Sequence, residues 1–234
     1  TGASTYWKIS AARSTTGVGF IDVSGNIMSL VCASPSQLSD TLEIPGTYCF
    51  NQLFTGSSYV RHLKDLRMPA TTLTDYCYQK MCYNISNLLS TPKELPALSV
   101  PKNAYDYMFY SCVNLTEVMQ ELPATTIGAY AYECMFKNCS TALVTAPNIK
   151  ARTLGSGAFY QMFYGCSSLQ FGPDTLYSEV IPFKACSAMF YDCSALKQAP
   201  IIMARTPRSS LGAGTASSSG SNGYNCSDMF HACS

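Results

Sequence analysis

Apolar residues recur along this chain every four positions, and the block they form recurs every 27. Val100, Ala104, Met108 and Cys112 make one such stripe. Ile127, Ala131, Met135 and Cys139 make the next, followed by Leu154, Ala158, Met162 and Cys166, then Ile181, Ala185, Met189 and Cys193. A weaker copy runs Leu73, Cys77, Met81, Ile85. Positions i, i+4, i+8 and i+12 lie near one face of an α-helix, so the spacing predicts a short helix in each block. Thr72, Thr126 and Thr153 stand just before the stripe as candidate N-caps. Pro101 and Pro182 fall one residue inside it, where a missing N–H costs little. Downstream of each stripe, the runs 88–92, 115–119, 143–147, 169–173 and 196–200 begin with an inward Leu and end at Pro or Met. Each reads as a short strand closed by its last residue.

The Met anchors of these blocks, counting degenerate copies at Leu53 and Met81, fall at 53, 81, 108, 135, 162, 189 and 229. A fixed period in this range marks a stacked repeat whose coils share one core. The expected architecture is an α/β repeat solenoid of about seven coils over 46–234, each a short helix plus a short strand. Strands stack ~4.8 Å apart, whereas helices are ~10 Å wide, so the array should curve with its strands inside. The same mismatch should hold the Cys at Met+4 beyond the ~7 Å limit for disulfides, leaving buried free thiols that pack as small hydrophobes. Residues 1–45 do not fit the repeat. The run 17–23 and the turn Ser24-Gly25-Asn26 predict a β-rich cap over the first coil. The last step is 40 residues rather than 27, and the surplus lies in 209–223, rich in Ser, Gly and Ala and expected to form a flexible loop. Ser234 follows directly on the last stripe, without its strand, so further chain or a partner is expected to cover that end.

Composition narrows function mainly by exclusion. The 234 residues carry 15 Lys and Arg against 14 Asp and Glu, a net charge of +1. That provides no basic field for nucleic acid. Arg61, His62, Lys64 and Arg67 form the tightest charged cluster and read as a solvated edge. No apolar run approaches the ~20 residues of a transmembrane segment. The opening Thr1-Gly2-Ala3-Ser4 has no signal peptide character and looks like a trimmed start. Only two histidines occur, His62 and His231. The Cys spacings, such as Cys134 to Cys139 or Cys186 to Cys193, do not match zinc knuckles. Glu117 and Glu121 share a coil, but no second feature supports a glycosidase pair. No catalytic residue, metal ligand or cofactor site is expected.

The repeated core Met-Phe-x-x-Cys-x-x-Leu, with Leu-Pro-Ala at 95–97 and Leu-Pro-Ala-Thr-Thr at 122–126, resembles the BspA-like leucine-rich repeat surface proteins of gut bacteria. The likeness covers roughly 46–234, and the run from Ser24 to Leu30 resembles the segment that often precedes such arrays. It departs at Ser57 and Ile85, which stand where Cys belongs, at Cys82, which replaces Phe, and at one extra residue before Leu143. The resemblance implies a leucine-rich-repeat right-handed superhelix and a secreted or surface-attached protein assigned to adhesion. Similar arrays occur in phages of gut bacteria, which would place the chain on a virion.

Two columns are candidate binding surfaces. Tyr83, Tyr110, Tyr164 and Tyr191 occupy Met+2, about 160° from the Met direction on a helix, and should face outward. A row of such rings suits a protein or glycan contact, although it would equally serve to cover the helix. The other surface is the strand face, with Leu89, Thr116, Val144, Gln170 and Lys197. The resulting expectation is a non-catalytic extracellular binding protein with a host protein or glycan as partner. Alternatives are a virion or fibre component and a structural spacer.

Overall fold

The computed structural model describes residues 8–12, 19–32, 43–204 and 226–233. Among them there is no α-helix; the only helical turn is a 3-10 segment, Ile27–Leu30, whose Asn26 side chain accepts the Met28 N–H at 3.0 Å. The expected helices are therefore corrected. The segments around each Met are runs of overlapping β-turns in which every fourth residue has a positive φ: Asn103 (53°), Tyr107 (54°) and Ser111 (55°) in one coil, and Tyr130, Cys134 and Asn138 in the next. A strict four-residue spacing fits this backbone better than a helix. Three steps of four residues carry a helix about 120° past its starting direction, whereas a four-residue turn repeat returns the same face each time.

The hydrogen bonds explain the choice. All ten N–H groups from Asn103 to Cys112 are satisfied, in strict alternation. Tyr105, Tyr107 and Phe109 donate to Ala131, Glu133 and Met135 of the next coil at 2.8–3.0 Å. Between them, Met108 donates to Tyr105 O and Tyr110 to Tyr107 O, both at 3.2 Å, closing β-turns. An α-helix would keep every one of these bonds to itself. Here half of them tie each coil to the next, and buried backbone is left paired. Both walls of the stack are thus bonded coil to coil, which removes the width mismatch behind the expected curvature.

The opposite wall is built from very short parallel strands. β1 (Lys8–Ala12), β2 (Phe20–Asn26) and β3 (Val60–Arg67) form one sheet, β1 antiparallel and β3 parallel to β2. β4 (Ser99–Val100), β6 (Thr126–Ile127) and β8 (Thr153–Leu154) make a second sheet. β5 (Glu121–Leu122) pairs β7 (Asn148–Ile149), and β9 (Thr175–Ser178) pairs β10 (Ile201–Ala204). Thr126 and Thr153, expected as N-caps, are strand residues instead, and Thr72 bridges Glu43. The strands expected just after each Leu shrink to single bridges, Ser90 with Glu117, then Thr145 with Phe171 and Phe171 with Gln198. The ladder skips the step from Glu117 to Thr145, where the extra residue before Leu143 intervenes.

The core is the sulfur- and ring-rich seam. Met81, Met108, Met135, Met162 and Met189 are fully buried, as are Ile85 and Cys112, Cys139, Cys166 and Cys193 at Met+4. Phe109, Phe136, Phe163, Phe190 and Phe230 stack face to face with centroids 5.4–5.5 Å apart. Phe50, Tyr78, Tyr105, Tyr132 and Phe159 form a second ladder at 5.4–5.8 Å. Each of these rings except the exposed Phe230 removes enough apolar surface from water to contribute about 2–3 kcal/mol. All twelve cysteines are free. The Met+4 thiols are more than hydrophobic filler. Cys139, Cys166 and Cys193 donate to Phe109 O, Phe136 O and Phe163 O of the preceding coil at 3.0–3.2 Å. The Ser/Gly-rich run 209–223 lies outside the described residues, as does most of 1–45.

Candidate functional site

The turn wall sets the tyrosine column. Coils held in register about one strand spacing apart bring the Met+2 rings face to face. Tyr83 and Tyr110 stack at 4.8 Å and 4°, Tyr164 and Tyr191 at 4.7 Å and 1°, and His231 continues the row at 4.4 Å from Tyr191. Lys137 fills the same position in the intervening coil, its Nζ 4.3 Å from the Tyr164 ring. All four tyrosines are half-buried, so their faces are largely occupied by one another and the outer edges remain.

The strand face brings its predicted residues into one ladder with a gap. Thr116 N–H and its Oγ1 both donate to Leu89 O at 3.0 Å. Gln170 donates to Val144 O, and Lys197 to Gln170 O, at 2.9 Å, while Lys197 Nζ reaches Gln170 Oε1 at 2.9 Å. Thr116, Val144 and Lys197 are exposed and Gln170 is half-buried. The Tyr and strand columns lie on different walls and do not converge.

Concave surface lies beside the strand face, at the return loops. A cavity of about 440 Å³ is bordered by Ser24, Asp65, Arg67, Lys93 and Glu94. Next to it lies one of about 730 Å³, walled by Pro92, Pro96 and Pro123 with Lys64, Glu117 and Met119. The two share Lys64, Lys93 and Glu94. A third, of about 390 Å³, follows at Asn148, Lys150, Arg152, Asp174 and Tyr177. Cross-coil ion pairs edge this groove: Lys93–Asp65 at 3.6 Å, Lys64–Glu117 at 3.8 Å and Lys150–Glu121 at 3.2 Å. Exposed pairs of this kind add at most about 1 kcal/mol each, so their placement has little to do with stability. Lys64 and Arg67, expected as a solvated edge, are exposed and border this groove. The sequence carried a signal for this strip that was missed: Arg67, Glu94, Glu121 and Asn148 recur at a 27-residue step.

Catalytic geometry is weak. Asp22, His62 and Ser90 fall in register across neighbouring strands, and His62 Nδ1 lies 3.1 Å from Ser90 Oγ. Yet Ser90 is 0 % exposed and its oxygen already accepts the Leu63 N–H at 3.2 Å, so no substrate reaches it. Glu117 and Glu121 each face a lysine. Among the described residues, no group of three or more His, Cys, Asp or Glu is placed to hold a metal ion. None of the described helical segments is long and apolar enough to cross a membrane.

Comparison with known proteins follows the repeat. No curated protein and no solved structure matches the chain. A family model for the BspA type leucine rich repeat region matches in 6 copies, over residues 34–170 and 102–203. With its stacked units, short parallel strands and buried Leu88, Leu115, Leu143 and Leu169 columns, the chain belongs to the BspA type leucine-rich repeat family.

Proposed function

We propose that this protein is a non-catalytic binding module, extracellular or at a cell surface, that offers the strand side of its stack to a host protein or glycan. The observation that carries the reading is a run of concavities from Arg67 to Tyr177, two of them sharing Lys64, Lys93 and Glu94 and the third linked to them by the Lys150–Glu121 ion pair. Leucine-rich repeats present extended surfaces of this kind. The groove has proline walls and alternating charges, which suits an elongated polar ligand lying across several coils. Thr116, Val144, Gln170 and Lys197 extend this surface, and the ladder of Tyr83, Tyr110, Tyr164 and Tyr191 offers a second face. The stack is taken as right-handed, since parallel crossovers overwhelmingly are. The cross-coil bonding would also serve a virion fibre or a stiff spacer.

A screen of the intact chain against mucin glycans and extracellular matrix proteins tests this reading. A ligand whose affinity falls at least about tenfold in Glu117→Ala and Lys150→Ala, but not in Tyr110→Ala and Tyr164→Ala, supports the groove. The reverse pattern moves the site to the tyrosine ladder. Binding to nothing on either array favours the spacer and overturns the proposal.

A further inference from the structure

The position three residues before each Met holds a ring in five successive coils, Phe50, Tyr78, Tyr105, Tyr132 and Phe159, each stacked on the next. In the last two coils it holds Cys186 and Cys226. The register there is the same as elsewhere. Ala188 N–H donates to Ser227 O at 2.8 Å, Phe190 N–H to Met229 O at 2.9 Å, and the Ser187 and Ser227 hydroxyls meet at 3.1 Å. Cys186 and Cys226 are thus facing residues of adjacent, hydrogen-bonded coils. Backbones paired this way lie about 5 Å apart, inside the 4.4–6.8 Å Cα window of a disulfide.

From this geometry we infer that Cys186 and Cys226 form a disulfide that clamps the last described turn segment, 226–233, to the coil before it.

The two thiols lie close enough for each to perturb the ionisation of the other. The Met+4 column is arranged differently. The Met+4 cysteines aim their S–H groups at main-chain carbonyls of the preceding coil, with Cys112 on Cys82 O and Cys233 on Phe190 O at 3.0–3.1 Å. Cys186 is buried and Cys226 is half-buried, so a reagent arriving from solvent meets Cys226 first. The neighbouring Cys186 thiol also lowers the ionisation point of Cys226, which fits Cys226 as the attacking sulfur.

With a small disulfide such as glutathione disulfide as oxidant, the chemistry is two exchanges. The Cys226 thiolate attacks one sulfur of the oxidant, forming a mixed disulfide and releasing one glutathione thiolate, which takes up the proton Cys226 gave to water. Cys186 then loses its proton and attacks the Cys226 sulfur, releasing the second glutathione. Two protein thiols are oxidised and one glutathione disulfide is reduced to two thiols. The clamp falls at the junction where the chain is longest between coils, 40 residues from Met189 to Met229 instead of 27. Long closures are where a covalent link restricts the unfolded chain most.

The test uses the whole chain under native conditions, incubated with glutathione disulfide, alkylated, digested and mapped by mass spectrometry. A cross-linked peptide pair holding Cys186 and Cys226 is expected, with Cys112, Cys139 and Cys166 recovered as thiols once the protein is unfolded. The oxidised chain should melt several degrees above the reduced one, and Cys226→Ala should abolish that difference. Cys226 held as a stable glutathione adduct, or Cys186 recovered as a free thiol, overturns the inference. So does an equal melting gain in Cys226→Ala.

Discussion

Asp106 is buried two residues before Met108, with Oδ2 accepting from Gln79 Nε2 at 2.9 Å and Asn103 Nδ2 at 3.1 Å, while Oδ1 is buried with no partner. Burial pushes its carboxyl up to about 6, against the pull of those two amides. Glu133, one coil on, is pushed up to about 7 by burial and then by the charge of Asp106. Both acids bind protons more tightly folded than unfolded. Their contribution is therefore complete below the unfolded value near 4 and is lost as pH rises through 6 to 7. The protein should melt higher at pH 5 than at pH 8, and Asp106→Asn should recover about 2–3 kcal/mol at pH 8 and flatten the profile. An unchanged profile in the variant would show that Asp106 ionises freely. The thiols behave alike at higher pH. Burial pushes Cys112 and Cys166 up to about 12, so folding stability measured in urea should hold to about pH 9 and decline as pH climbs through 12.

In the turn run, the buried columns follow the helical spacing while the backbone is built of four-residue turns. Met−4, Met−3, Met, Met+1 and Met+4 are the buried positions of a helix face, and they are also the buried positions of four-residue turns. Side-chain burial therefore could not separate the two. The discriminating signal was the polar column at Met+3, Asn84, Ser111, Asn138, Gly165 and Asp192, four of which are residues that favour positive φ. It was masked by Tyr76, Tyr130 and Lys184, which adopt the same conformation with no propensity for it. Gly157 has φ +64°, and a Cβ there would lie 2.2 Å from Tyr130 Cε1. Gly157→Ala should cost about 1–3 kcal/mol by denaturant titration. Ser111→Gly, at φ 55°, should be neutral or stabilising by up to about 1 kcal/mol. Helical peptide would give the opposite order, since glycine is the poorer residue there.

Across the whole molecule, the coils share one interior, so damage to one is felt by its neighbours. Met135 is fully buried, and Phe136 beside it stacks on Phe109 and Phe163. Met135→Asp places an unpaired charge there and should abolish the cooperative thermal transition seen by circular dichroism. A retained transition would mean that the units fold independently. The 27-residue period, the Met, Phe, Cys and Leu columns and the family were legible from residue identities, because burial imposes the same side chains at the same place in every coil. The groove was only half legible. Its polar column recurs in the sequence, but its concavity depends on how the loops at Pro92, Pro96 and Pro123 stand away from the strands. What the tertiary structure decided was the coil-to-coil bonding of the turn wall, whose positive-φ positions the Met+3 column only foreshadows, together with the thiol–carbonyl ladder and the meeting of Cys186 with Cys226. Each depends on which neighbouring coil a main-chain or sulfur group can reach, a relation between residues 26 to 40 positions apart that no local pattern encodes.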